Sequence, residues 1–201
     1  HDLWENGRLE CFVQLTLWND LAANTLAELD ENPQNVWQPT FVEPYLRYFI
    51  VSHMKVTDRW PALNSFIEQQ DGAHRDLLEQ QFSPELALMS ITRDDLDRAR
   101  FYVLKSFQQF LSRWTSLHPL ANAARHQALQ PLQKVVEMEE FLSFVSDGRN
   151  FESLEPVRTL TSNLRARWPS PKLDSVLVWD NVVSNRSVLF SKLSERFELY
   201  T

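Results

Sequence analysis

The sequence predicts an all-α chain of stacked antiparallel helical hairpins, a segment of a TPR- or HEAT-like α-solenoid. Three observations carry this reading. Apolar residues recur at steps of three and four over long stretches. No stretch keeps the strict apolar–polar alternation of a half-buried strand for more than a few residues. Only three glycines, Gly7, Gly72 and Gly148, occur in 201 residues. Sandwiches and barrels draw on glycine for turns of positive φ, and a phosphate-cradling loop needs several glycines close together, so the scarcity argues against both. With 43% hydrophobic residues, the chain can fill one sizeable core or a short stack of repeats.

In chain order, helices are expected over residues 9–17, 19–29, 40–52, 59–70 and 73–90. Pro33 and Pro39 bound a connector whose Trp37 packs inward, and Ser83-Pro84 is placed to break the fifth helix. Leu96, Ala99, Val103, Phe107, Phe110 and Trp114 share one face of the next helix. Asp94, Asp95 and Asp97 suit its positive end, and His118-Pro119 terminates it. Ala128, Leu132, Val135, Met138, Leu142 and Val145 form a second run. Pro131 either sits in the first turn of that helix or kinks a longer one begun near Leu120. Ser146-Asp147-Gly148 is expected to stop it with glycine as a left-handed cap. Residues 147–152 and 169–172 read as further connectors. The last run is Trp179, Val182, Val183, Arg186, Phe190, Leu193 and Phe197, capped by Asp174 or Ser175. The stripe is expected against Leu160 and Leu164, with Trp179 closing the joint from residues 169–172, Arg186 on the stripe's edge and its head reaching water or an acid. Residues 9–29 and 73–114 each read as helix, tight turn, helix, the unit of repeat proteins, although no fixed period emerges. Residues 1–201 read as a single helical-repeat segment.

The chemistry that the sequence excludes is broad. It contains no GxGxxG, GxxxxGK[ST], HExxH or GxSxG pattern, and none of the catalytic-loop or metal-binding triplets of protein kinases. No two of His1, His53, His74, His118 and His126 lie three or four residues apart, as a helical metal pair would. Asp94-Asp95-Leu96-Asp97 lacks the glycine of a calcium loop and reads as helix capping. Glu137, Glu139 and Glu140 read as a solvated face, Asn185-Arg186-Ser187 as a chance glycosylation pattern within a helix, and the seven tryptophans as core. No catalytic, cofactor-binding or metal-binding residue is therefore assigned, and no cofactor is expected.

A single cysteine, Cys11, forms no internal disulfide, which fits an intracellular compartment. No apolar run is long enough for a membrane span. The first residues, His1-Asp2-Leu3-Trp4, read as a cut made inside a longer protein. A net charge of −7 argues against general affinity for DNA or anionic membranes. Residues 1–60 hold nine acids against four bases, whereas residues 98–134 hold six bases and no acid, read as helix faces pairing with acidic neighbours.

From Asp94 onward the chain resembles a known family. Asp94-Asp95-Leu96-Asp97-Arg98-Ala99-Arg100-Phe101-Tyr102-Val103, then Ser106-Phe107-Gln108-Gln109-Phe110-Leu111, is similar to the FAT region of the phosphatidylinositol 3-kinase-related protein kinases. The similarity continues in order through Leu129-Gln130-Pro131-Leu132-Gln133, Glu139-Glu140-Phe141-Leu142-Ser143-Phe144-Val145, Trp179-Asp180-Asn181-Val182-Val183-Ser184-Asn185-Arg186 and Leu189-Phe190-Ser191-Lys192-Leu193. Upstream, Phe41-Val42-Glu43-Pro44-Tyr45-Leu46 and Pro84-Glu85-Leu86-Ala87-Leu88 also fit. The match is strongest over 36–199, and Pro131 departs from the pattern. The resemblance implies a curved stack of helical hairpins wrapping a kinase domain. It implies a nuclear Ser/Thr kinase as the whole protein, recruited by the Ku heterodimer to DNA ends in non-homologous end joining. The segment's own partners would be the kinase domain and neighbouring repeats of the same chain, with no membrane. ATP site, magnesium ligands and catalytic loop belong to the kinase domain, outside this chain, so the segment is expected to be a non-catalytic scaffold. An independent TPR-like adaptor that binds a peptide in its groove is the alternative.

Overall fold

A computed structural model describes residues 2–31, 33, 37, 42–169 and 174–200. Among the described residues the chain is all-α, with ten helices and no strand, as the sequence predicts. It divides into two compact units, His1–Leu78 and Glu79–Thr201.

The first unit contains α1 (Asp2–Gln14), α2 (Trp18–Glu31), α3 (Val42–Lys55), α4 (Trp60–Glu68) and most of α5 (Gly72–Gln81). α2 packs on α1 and α3, and α3 on α4. Leu21, Leu46, Phe49, Ile50 and Leu63 fill the core. Trp37 is half-buried and stacks on His74, ring centroids 4.0 Å apart. The second unit contains α6 (Ser83–Thr92), α7 (Leu96–Ser116), α8 (Asn122–Ser146), α9 (Glu155–Ala166) and α10 (Val176–Tyr200). α8 is its central helix, packed against α6, α7, α9 and α10. Met138, Leu142, Val103, Leu189 and Leu193 are buried there.

Two hairpin joints are built alike. Leu17 N–H donates to the Phe12 carbonyl (2.9 Å) and Asp95 N–H to the Ser90 carbonyl (3.0 Å). Each bond spans six residues and closes a Schellman turn, so the residue just before it takes the left-handed conformation. Thr16 (φ 55°) and Asp94 (φ 58°) do so. Glycine usually fills this place; here the joints are made without it, which is how a chain with three glycines still turns. Asp95 then caps α7, its carboxylate accepting from Arg98 N–H at 3.2 Å.

Several expectations are corrected. The first helix begins at Asp2 rather than at residue 9 and ends at Gln14. The 73–90 helix does break beside Ser83-Pro84 as expected: it is two helices parted at Phe82, since Pro84 supplies no N–H to continue the ladder. Of the two places expected for Pro131, the structure has the longer helix: Pro131 lies inside α8, which begins at Asn122. Gly148 is not a left-handed cap: no described glycine has positive φ. Instead Asp147, in extended conformation, ends α8 and caps the 3-10 turn Gly148–Phe151 by accepting from Arg149 N–H (3.1 Å). None of the seven tryptophans is fully buried, and Trp4 is 85% exposed. In α10 Val183 and Phe190 face outward while Asn185, Arg186 and Leu189 are buried. The front of the expected 40–52 helix and most of the 169–172 connector lie outside the described residues.

Candidate functional site

α8 carries a row of charged side chains that each reach a different element. Lys134 pairs with Glu85 of α6. Glu137 pairs with Arg186 of α10, and Glu140 with Arg167, the residue following α9. Lys134, Glu137 and Glu140 stand three residues apart, so the row winds round the helix and faces successive neighbours.

The Glu137–Arg186 pair is the most deeply buried of these, with side chains 0% and 7% exposed. A carboxylate removed from water is tolerable only when its acceptor sites are filled. Here Arg186 Nη2 donates to Glu137 Oε1 at 2.7 Å and Nε to Oε2 at 3.0 Å. Gln133 Nε2 adds a third bond to Oε1 at 3.0 Å. Arg186 Nη2 also donates at 2.6 Å to the Leu164 carbonyl in the last turn of α9, which accepts from Arg167 N–H at 3.2 Å as well. The guanidinium stands over the Trp168 ring, 4.5 Å from its centroid, a geometry that suits a planar delocalised cation. Gln133 Nε2 further donates to the Arg167 carbonyl at 2.6 Å. The Arg167 guanidinium donates to Glu140 Oε2 at 2.6 Å, and this bond holds its pKa above the ordinary arginine value. The cluster thus ties α8, α9 and α10 together through two carboxylates and two guanidinium groups.

Both oxygens of Glu137 accept from protein donors. The hollow of about 320 Å³ over α9 is lined by Leu154, Val157, Arg158, Thr161, Ser162 and Arg165, and neither Glu137 nor Arg186 reaches it. Among the described residues no three His, Cys, Asp or Glu side chains are grouped to hold a metal. No helix of the described residues is long and apolar enough to cross a membrane.

The sequence reading of Glu137, Glu139 and Glu140 as one solvated face is corrected. Glu139 is exposed, but Glu137 is buried and Glu140 is half-buried on Arg167. A local signal existed: Glu137 adjoins Met138 and stands four before Phe141, both buried, so the helical period places it on the inner side. Arg186 is buried rather than at the stripe's edge, and its head reaches an acid, Glu137, one of the two ends expected for it. Trp179, expected to close the joint before α10, stacks on Trp168 with ring centroids 5.5 Å apart. Asn185 of the glycosylation pattern is buried within α10. In the base-rich stretch 98–134, Arg100 pairs with Asp97, Lys105 with Glu79 and Lys134 with Glu85, as expected of faces meeting acidic neighbours.

Comparison with known proteins adds the family. The FAT domain signature matches residues 51–200. The chain is 40% identical over 200 residues to a DNA-dependent protein kinase catalytic subunit of Dictyostelium discoideum, covering 99% of this chain. It is 34% identical over 208 residues to the protein of that name from Canis lupus familiaris, and 32% identical over 205 residues to that from Mus musculus, covering 98% and 97% of this chain. It spans about 5% of the length of each of these relatives.

Proposed function

We propose, from the premise that this chain belongs to the FAT domain family, that it is a non-catalytic scaffold segment within a DNA-dependent protein kinase catalytic subunit. In this reading its work is mechanical: packed helices hold neighbouring repeats and the kinase domain of the same polypeptide in register. The parent's Ser/Thr kinase activity, its action in double-strand break repair by non-homologous end joining, its nuclear location, and its recruitment by Ku to DNA ends belong to this proposal. So does the reading of residues 1–201 as one helical-repeat segment with no catalytic, cofactor or metal site of its own.

The observation that carries the proposal is the Glu137–Arg186 pair. The most deeply buried charges of the second unit are spent on linking helices, with every bond directed at protein atoms. The test uses the full-length parent protein carrying Arg186→Ala. A scaffold role lowers kcat for peptide phosphorylation while KM for ATP stays unchanged. A rise in KM for ATP with kcat preserved would place the segment in nucleotide binding and overturn the proposal. Titration calorimetry of Mg-ATP into the 201-residue chain is the companion measurement: saturable micromolar binding contradicts the non-catalytic reading.

A further inference from the structure

The central helix of the second unit contains a proline. Pro131 lies inside α8 and has no N–H, so the Gln127 carbonyl loses its ladder donor and is crowded by the pyrrolidine ring. Proline also disfavours helical angles at Gln130, the residue before it. A helix keeps such an interruption when its surroundings hold the two parts in line. Here the surroundings hold one part far better than the other.

Beyond the proline, Lys134, Glu137 and Glu140 pair with Glu85, Arg186 and Arg167. Val135, Met138, Phe141 and Leu142 are buried around them. Before it, Ala128 is the one buried residue of 122–130. No side chain caps the start of the helix at Ala121, so the first turn lacks that acceptor. Gln130 Nε2 donates to Asp174 Oδ1 at 3.4 Å, and His126 Nε2 stands 3.6 Å from the same oxygen. Both are long beside the 2.7 and 3.0 Å of the Glu137–Arg186 bonds. The Arg125 guanidinium lies over the Trp114 ring, 4.4 Å from its centroid, and reaches the Leu117 carbonyl at 3.5 Å. Its buried Nε finds no partner among the described residues. A helical stretch this short is marginal by itself.

We propose that Pro131 is a hinge that divides α8 into a fixed stem, residues 132–146, and an arm, residues 122–130, that opens on it. The arm is latched at one place, where Gln130 and His126 meet Asp174 ahead of α10. Through Arg125, which rests on Trp114 and Leu117, it carries the joint between α7 and α8. Opening therefore shifts that joint and breaks the contact with Asp174. The register of α8, α9 and α10 stays set by Glu137 and Arg186. The ladder bond missing at Gln127 uncouples the two parts, so opening of the arm does not propagate into the stem. The inference deepens the scaffold reading by locating where the segment yields, and rests on that reading only for the use made of the motion.

The test is amide hydrogen exchange on the full-length parent protein, read by mass spectrometry on peptides from either side of Pro131. Peptides within 122–130 are expected to exchange roughly tenfold or more faster than those within 135–146. Pro131→Ala restores the ladder donor and places the best helix former at the hinge. It should slow exchange of the arm roughly tenfold or more and leave the stem unchanged. His126→Ala/Gln130→Ala removes the arm's side of the latch while keeping good helix formers, and should speed exchange of the arm alone. Equal exchange on both sides of Pro131 in the unaltered protein overturns the proposal. So does an arm indifferent to Pro131→Ala, or an arm and stem slowed equally, which would make the proline a matter of overall stability. An arm indifferent to His126→Ala/Gln130→Ala overturns the latch. The readout needs no kinase activity, so its outcome is separate from that of the Arg186→Ala kinetics.

Discussion

Removing Arg186 should destabilise the chain more than removing Trp179. Arg186→Ala deletes two bonds to Glu137 (2.7 and 3.0 Å), one to the Leu164 carbonyl (2.6 Å) and the guanidinium over Trp168. The Glu137 side chain, 0% exposed, then keeps only Gln133 as a donor. Breaking one side of a buried pair costs about 3–5 kcal/mol, chiefly because the remaining charge is uncompensated. Trp179→Ala, by contrast, removes a half-buried ring whose stack on Trp168 lies 5.5 Å away; it should cost about 1–2 kcal/mol from the aromatic pair and its partial burial. Against a typical total of about 5–15 kcal/mol, the first loss threatens folding and the second does not. Urea melts of both variants measure the order, provided m is unchanged. The double substitution Glu137→Leu/Arg186→Met separates charge from packing. If the unpaired carboxylate causes the loss, the apolar pair should recover most of it, and the double-mutant cycle should show strong coupling. A loss below about 1 kcal/mol for Arg186→Ala, the value of a surface pair, would refute the reasoning, and so would a double variant no more stable than the single one.

Three further outcomes are expected. His53 is fully buried, its Nδ1 on the Phe49 carbonyl at 2.8 Å and its Nε2 without a hydrogen-bond partner, and burial holds its pKa below the ordinary 6.5. The unfolded chain therefore takes up this proton first, so His53 should make stability fall as pH drops below about 6.5 toward its lowered folded value; thermal melts should show this component vanish in His53→Leu, and an unchanged slope would contradict it. Asp95→Ala removes the α7 cap and should cost about 1 kcal/mol in urea melts. Cys11 is free and exposed, so a thiol reagent should modify it in the folded chain without denaturant.

The helices were legible where one face carries an unbroken apolar period. In α8, five of the six residues of the expected run, Ala128, Val135, Met138, Leu142 and Val145, are buried. The joints were half-legible. Asp95 as a cap follows from its place before Leu96, but Thr16 in the left-handed region does not, since a β-branched residue is a poor choice there and only the Schellman bonds impose it.

The central cluster was illegible for a different reason. In α10 the apolar residues Trp179, Val183 and Phe190 define a plausible stripe, whereas the buried face is turned to take in Asn185 and Arg186. Hydrophobic patterning counts side chains one helix at a time and treats charge as a mark of the surface. That rule fails when two charges are buried only because each has the other. Glu137 and Arg186 are 49 residues apart, so although the period of α8 sets Glu137 beside buried Met138 and Phe141, no single helix shows its partner. The pair becomes favourable only after α8, α9 and α10 have met, when Gln133 and the Leu164 carbonyl complete its bonds. It is therefore a consequence of tertiary structure rather than a local propensity, and it makes a specific demand: any arrangement of the three helices that shifts register by one turn, about 5.4 Å, leaves both charges buried and unpaired. Correct register is penalised far less than its neighbours, so the pair selects the alignment of α8, α9 and α10.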